Sequence, residues 1–404
     1  IKRHTITHLA DYLEQFAAQL ESRGVIVHWA RTADDFNKTV LEILQKHGVK
    51  KMVKSKSMLT EECGMNPYLE QNGIDVVETD LGERILQLLH QKPSHIVMPA
   101  IHLKREEVGR MFEEKGISKQ IGNYDPTYLT RCARMHLRNQ FMEAGAGMTG
   151  CNFGVAESGD IVVCTNEGNA DMSTSMPKLH LVAMGIEKIV PDYKSLAVFQ
   201  RLLCRSATGQ PTTAYTSHFR QARPGAEMHV ILVDNGRSDI LADSEHWETL
   251  KCIRCGSCMN TCPVYRRSGG YSYTYFIPGP IGVNLGMLRN ASRYSDNVSA
   301  CTLCLSCDNV CPSKVGPGSQ IYLWRQKLDS LHRADPMKKF MSIGMESLFE
   351  HPHLYAAALR LAPLANIVPD KLTRVRGVNP WSVGHTKPEF AKESFQEMWK
   401  KGKV

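Results

Sequence analysis

Along the first 240 or so residues, apolar positions alternate between a helical and an extended period. Ile6, Leu9, Leu13, Phe16 and Leu20 recur at helical spacing, and Gly24 is placed to end that helix. The strand-like "VIVHWA" follows, then a helix carrying Phe36, Val40 and Leu44 that ends at Gly48. The strand "VKKMVK", another helix, the strand "IDVVETD", the helix "GERILQLLH" and the strand "SHIVMPA" continue the series. Strands alternating with helices of this length predict a mostly parallel sheet covered by helices. "GVAESGDIVVCTNE" reads instead as two strands around a tight Ser-Gly-Asp turn, so part of the sheet should be antiparallel. These patterns predict an α/β domain over 1–242.

The rhythm changes at Asp243. From there to 333 the chain is rich in cysteine, with a helical stripe of Ile321, Trp324, Leu328 and Leu331 near its end. The spacer between the cysteine motifs, 263–300, contains "GGYSYTYFIPGPIG" and suits a mostly helical ferredoxin better than the compact β-type. Little apolar core is expected in this part. Residues 334–404 are punctuated by proline, end in the basic "MWKKGKV", and read as a helical extension.

At 404 residues the chain exceeds one ordinary core, in keeping with several domains. Its 42% apolar and 22% charged residues are ordinary for a globular protein. The best apolar run, "LYAAALRLAPLANIV", is broken by Arg360 and Pro363 and falls short of the roughly 18 residues of a membrane span. The chain opens at Ile1 without Met or an apolar leader, and reads as truncated rather than secreted.

Eight of the thirteen cysteines fall in two copies of C-x2-C-x2-C-x3-C-P, "CIRCGSCMNTCP" from Cys252 and "CTLCLSCDNVCP" from Cys301. Four cysteines so close in sequence cannot all reach one cubane. The first three can, and the fourth serves the other cluster. The expected ligand sets are Cys252, Cys255, Cys258 and Cys311 for one [4Fe–4S] cluster, and Cys301, Cys304, Cys307 and Cys262 for the other. Structural zinc is the alternative, but its paired cysteines stand well apart without a third at once. Eight thiolates and two oxidised cores change the formal charge of +8 to about +4, no footprint for nucleic acid. Reduced clusters beside Cys63, Cys132, Cys151, Cys164 and Cys204 suit a cytoplasmic, reducing compartment.

Three other stretches carry weaker signals. "GAGMTG" (145–150) matches the dinucleotide pattern, but a helix precedes it and a strand follows, so the context is reversed and dinucleotide binding is rejected. "KSKSMLTEE" places Lys54, Ser55, Lys56 and Ser57 between a strand and a helix that Ser57 could cap, a position suited to a carboxylate or phosphate. Solvated lysines before an ordinary capped helix are the alternative. "ESGDIVVCTNEGN" gathers Glu157, Asp160, Asn166, Glu167 and Asn169, either as pocket groups or as a solvated polar loop. His95 and His102 could each be a base or a structural histidine.

In order, "KSKSMLTEE", "VVETDLGE", "TGCNFGVAESG", "TNEGN", "MPKLHLVAMGIEKIVP" and "LVDNGRS" resemble the LUD domain of the L-lactate utilisation iron–sulfur (LutB) family. Both cysteine motifs, the "GGYSY…GPIG" spacer and a C-terminal "NPWS" continue the likeness; 113–130 departs from it. The resemblance implies a NagB/RpiA/CoA-transferase-like α/β fold and a role as the electron-transfer component of a three-component system oxidising L-lactate to pyruvate. Implied partners are a cysteine-rich CCG-domain protein, a second LUD-domain protein and an electron acceptor, with membrane association only through partners. Because a cubane moves single electrons, a two-electron intermediary is required, either a flavin or a centre on a partner. The rival expectations are a LUD pocket that itself holds substrate or flavin, and a LUD domain that only senses or docks.

Overall fold

The computed structural model describes residues 1–328, 330–331, 336–369 and 385–404; the "NPWS" stretch lies outside them. The chain divides into two compact units, 1–331 and 332–404. In the first, a six-stranded sheet runs in the order β1-β10-β7-β4-β2-β3, built from β1 (Ile26–Ala30), β2 (Lys51–Lys54), β3 (Asp75–Glu78), β4 (Ala146–Thr149), β7 (Leu179–Gly185) and β10 (Glu227–Val233). Every pairing in it is parallel. The central strands β4 and β7 are buried throughout, as expected where helices cover both faces. One face packs Phe36, Leu44, Met65 and Leu69 against the sheet, and the other packs Phe16, Leu20 and Ile161. A second, four-stranded sheet is ordered β8-β5-β6-β9, from β5 (Phe153–Val155), β6 (Asp160–Thr165), β8 (Ile189–Val190) and β9 (Tyr215–Phe219). The β5–β6 hairpin is antiparallel and turns at the anticipated Ser-Gly-Asp.

"GAGMTG" contributes β4 itself. A Cβ at Gly147 would lie 1.7 Å from the Ser173 carbonyl oxygen, so the glycine admits the helix Asn169–Ser175 against the strand. Two expectations are corrected nearby. The first helix is broken at His8 into Lys2–Thr7 and Leu9–Glu21. "SHIVMPA" is a loop, not a strand. Ser94 closes it by donating its backbone N–H to the Pro99 carbonyl (3.0 Å), while the His95 Nδ1 accepts from the N–H groups of Val97 and Met98. Its apolar Ile96 faces the cysteine-rich part, packing with Met259, Ile277 and Ile281.

The cysteine-rich part is helical, with Gly279–Ser299 and Pro317–Lys327 as its longer elements. It has two apolar clusters, around Ile277, Ile281 and Tyr294 and around Met287, Val298, Ile321 and Trp324. The expectation of little apolar core is therefore corrected. The part also shares core with the α/β layers. Ile253 and Cys255 pack with Phe153, Val162 and Phe199 of the smaller sheet and its helix. Gly270 lets the spacer lie on the 94–100 loop, since a Cβ there would fall 2.0 Å from the Ser94 carbonyl oxygen. The second unit comprises the helices Pro336–Glu350, Pro352–Leu361 and Phe395–Lys400 with a 3-10 turn at Ala362–Ile367. No helix among the described residues is long and apolar enough to cross a membrane.

A buried ion network fixes the ends of β7 and β10. The Arg237 Nε lies 2.5 Å from Glu187, and its Nη2 lies 3.0 Å from Glu62. Burial opposes the Glu187 charge, yet Arg237 and Lys188 hold its carboxyl at about 2. Removing one partner strands the others in a dry interior, the costly case for a buried pair. Arg237→Met should lower stability by about 3–5 kcal/mol, read as the urea midpoint of the anaerobic protein. A loss below about 1 kcal/mol would mean that water reaches the network and screens it.

Candidate metal centre and adjoining cavity

Three cysteines within seven residues can converge only if the backbone reverses twice. Each motif does so at the same two places. Arg254 (φ 61°) and Gly256 (φ 81°) take left-handed conformations in the first, Leu303 (φ 53°) and Leu305 (φ 57°) in the second. Three of these four are not glycine, so the loops store strain of about 1–3 kcal/mol per residue. The reversals turn backbone donors inward. The Arg254 N–H donates to the Cys252 Sγ (3.4 Å) and the Leu303 N–H to the Cys301 Sγ (3.4 Å). After left-handed Lys314, the Val315 N–H donates to the Cys311 Sγ (3.3 Å). Such N–H nests favour anionic sulfur and tune a cluster's potential.

The fourth cysteine of each motif sits among the first three of the other. Cys252, Cys255, Cys258 and Cys311 line one small apolar cavity with Ile96, Ile281 and Val315. Cys262 lies close enough to Cys301 and Cys307 to raise both thiols electrostatically, behind burial as the larger cause for each. The motifs are pinned by Thr261 and Ser306, whose hydroxyls meet at 2.5 Å. A tetrahedral zinc, with Zn–S near 2.3 Å, would draw its sulfurs to roughly 3.8 Å apart. Among the described residues no three cysteine sulfurs close to within 4.8 Å. Eight thiols in two C-x2-C-x2-C-x3-C-P motifs with N–H···S cradles fit two cubanes.

A cavity of about 420 Å³ lies beyond the C-terminal ends of β2, β4 and β7. Binding sites gather at such ends in parallel sheets. Ser55, Lys56, Ser57, Asn166, Glu167 and Asn169 line it, so six of the pocket candidates come together. Ser57 occupies the N-cap of Met58–Glu62, but its side chain makes no cap bond. The Lys56 Nζ donates to the Val97 carbonyl (2.6 Å) and stands 4.0 Å from Asp80. Asn166 donates to Gln210 (2.9 Å), and Asn169 accepts a long bond from Thr165 (3.5 Å). Glu167 accepts from the Leu81 N–H (3.2 Å).

Lys54 and Glu157 stand elsewhere. Lys54 is fully buried, 2.7 Å from Glu78 and 3.4 Å from Glu61, with its Nζ donating to the Thr60 hydroxyl. Its charge serves three carboxylates, since Glu83 clusters with Glu61 and Glu78, and burial raises the pKa of both Glu78 and Glu83. An ammonium so neutralised has no face left for a ligand. Glu157 accepts from the Tyr193 N–H (2.9 Å) at the other end of its hairpin. His95 is structural, holding its own loop and meeting Asn260 at 3.0 Å, and His102 meets Ser94 at 2.8 Å.

Sequence reasoning missed Arg254 and Lys188, which also line the cavity, as do Cys151, Cys164 and Cys204. Burial pushes the Cys151 and Cys164 thiols up to about 12, leaving them protonated and unreactive. A signal for Arg254 existed. It occupies the position held by Leu303 in the second motif, so the two copies differ in charge there.

Burial first, and then Asp80, raises the Glu167 carboxyl to about 7. The folded chain keeps this proton up to about pH 7, whereas the unfolded chain loses it near the ordinary glutamate value of 4.5. Stability contributed by this group therefore falls as pH rises through that window. Glu167→Gln should stabilise the protein at pH 8 relative to the parent, and much less at pH 5. Urea midpoints for the pair that differ by the same amount at both pH values would contradict this.

Comparison with known proteins agrees with this architecture. The family model described as "LUD domain" matches residues 13–240, and "4Fe-4S dicluster domain" matches 248–315. "Lactate utilization protein B" of Bacillus pumilus is 40% identical over 99% of this chain and 87% of its own length. "Lactate utilization protein B 1" of Bacillus mycoides is 39% identical, over 99% and 86%. "Uncharacterized electron transport protein YkgF" of Escherichia coli is 38% identical, over 99% and 86%. A LUD domain in α/β layers, a dicluster domain and a helical C-terminal part, matched almost end to end, place the chain in the lactate utilization protein B family.

Proposed function

We propose that this chain carries electrons within a multi-component system oxidising L-lactate to pyruvate. Residues 1–242 are read as its LUD part, 243–333 as its relay and 334–404 as an extension. The observation that carries the reading is the pairing of the two cysteine motifs, each cradled by backbone N–H groups and each with its fourth cysteine beside the other motif. Cys252, Cys255, Cys258 and Cys311 would hold one [4Fe–4S] cluster, and Cys301, Cys304, Cys307 and Cys262 the other. When bound, the clusters supply one-electron carriage. Two neighbouring clusters suit an electron pair delivered as single electrons.

Lactate oxidation releases two electrons and two protons, one from the hydroxyl and one from C2, and a cubane cannot take the hydrogen on C2. That step is assigned to a two-electron centre outside the relay, on a cysteine-rich or second LUD-domain partner, with the site in the cytoplasm. A second reading, in which the LUD cavity holds substrate or a flavin, is favoured by one observation. The cavity reaches Arg254, inside the first cysteine motif.

Anaerobic spectra separate the readings. Cluster absorption that L-lactate bleaches only when the partner proteins are added supports the relay. Flavin bands in this chain, or bleaching by L-lactate without partners, would contradict it. Ligation has its own check. Cys311→Ala should damage the cluster held by Cys252, Cys255 and Cys258, and spectroscopic damage confined to the 301–307 site would overturn the cross-ligation.

A further inference from the structure

Two donors in the LUD cavity are buried and have no partner. The Ser55 hydroxyl is one, on a residue only 4% exposed, and the Arg254 Nη1 is the other. A buried donor left without an acceptor costs about 1–3 kcal/mol, so two such groups on one cavity lining call for an acceptor. The Arg254 guanidinium can only donate and the Ser55 hydroxyl can donate or accept, so an acceptor suits both. Lys56 adds a third donor on the same lining.

The charge inventory narrows the class. Lys56, Lys188, Arg237 and Arg254 line the cavity together with Glu62, Asp80, Glu167 and Glu187. Arg237 is already committed to Glu62 and Glu187. A dianionic phosphate would meet Asp80 and Glu167 at close quarters, whereas a monoanion needs only one guanidinium face and a hydroxyl. Met58, Val97 and Ile277 provide apolar wall for a short carbon tail. The Glu167 carboxyl and the Asn169 amide offer partners for a hydroxyl or keto oxygen beside the carboxylate.

We propose that this cavity binds a small 2-hydroxy- or 2-oxo-carboxylate, gripped by Ser55 and Lys56 from the LUD side and by Arg254 from the relay. Arg254 then has two contacts. Its backbone N–H donates to the Cys252 Sγ, and its side chain lines the cavity. Binding therefore registers at the first cluster. An anion against Arg254 offsets the charge that favours an added electron, and the first cluster's potential falls. The claim is binding and its electrostatic coupling, not oxidation of the acid by this chain. It rests on the relay reading, because the coupling requires a cluster at Cys252, Cys255, Cys258 and Cys311.

Calorimetry of the oxidised, cluster-loaded protein with L-lactate and with pyruvate tests the binding, and a redox titration followed by electron paramagnetic resonance tests the coupling. Saturable binding of at least one acid is expected, with a downward shift in the midpoint of one cluster only. Arg254→Gln should weaken binding by about 10- to 150-fold and abolish the shift, and Ser55→Ala should weaken it by about 2- to 12-fold. Ser55 lies far from the cysteines in sequence, so it decides the matter if Arg254→Gln loads its clusters poorly. No saturable binding at millimolar acid, or Ser55→Ala binding as the parent does, overturns the inference. Binding without any midpoint shift overturns the coupling. Partner-dependent bleaching by lactate that persists in either case leaves the relay standing, so the two failures are distinguishable.

Discussion

The paired cysteine motifs depend on a backbone constraint. A C-x2-C-x2-C segment can present three sulfurs to one centre only by entering left-handed space between successive cysteines. Here non-glycine residues accept that strain at Arg254, Leu303 and Leu305. Such conformations persist only where the surroundings over-determine them. Ile253 and Cys255 buried against Phe153 and Phe199 provide that for the first loop, and the second leans on it through Thr261 and Ser306.

From this follows the relation between the two halves of the large unit. The first cysteine loop is packed into the LUD layers rather than tethered to them. Ile96, from a loop that the α/β region sends out, sits in the same apolar cluster as Ile277 and Ile281. The spacer glycine at 270 admits that loop at a distance no side chain would allow. The first cysteine loop is thus held at the C-terminal ends of the parallel strands, where the large cavity opens, and the Arg237 network ties Glu62 to the end of β7. Position, more than any single residue, sets the cavity beside the first cysteine motif.

Much of this was legible in the sequence, for identifiable reasons. Short apolar pairs between helical stretches made β2 and β3 readable, and the Ser-Gly-Asp turn made the hairpin at Ser158–Asp160 readable. The cysteine pairing followed from the reach of the chain. Tertiary partners were not readable. "SHIVMPA" has a strand's composition, yet its apolar residues face another part of the chain instead of a neighbouring strand. Lys54 has the look of an anion-binding lysine, but its companions Glu78 and Glu83 arrive from the next strand and helix. Arg254 hid among cysteines that drew attention to their own chemistry.

The central claim is that two adjacent cubanes occupy the paired motifs as a relay. Electron paramagnetic resonance of the fully reduced, cluster-loaded protein tests it most directly. Cross-ligated motifs pinned at Thr261 and Ser306 predict two reduced-cluster signals broadened by coupling between them. A single isolated signal with half the expected iron, or a silent spectrum from protein carrying zinc, would contradict the account.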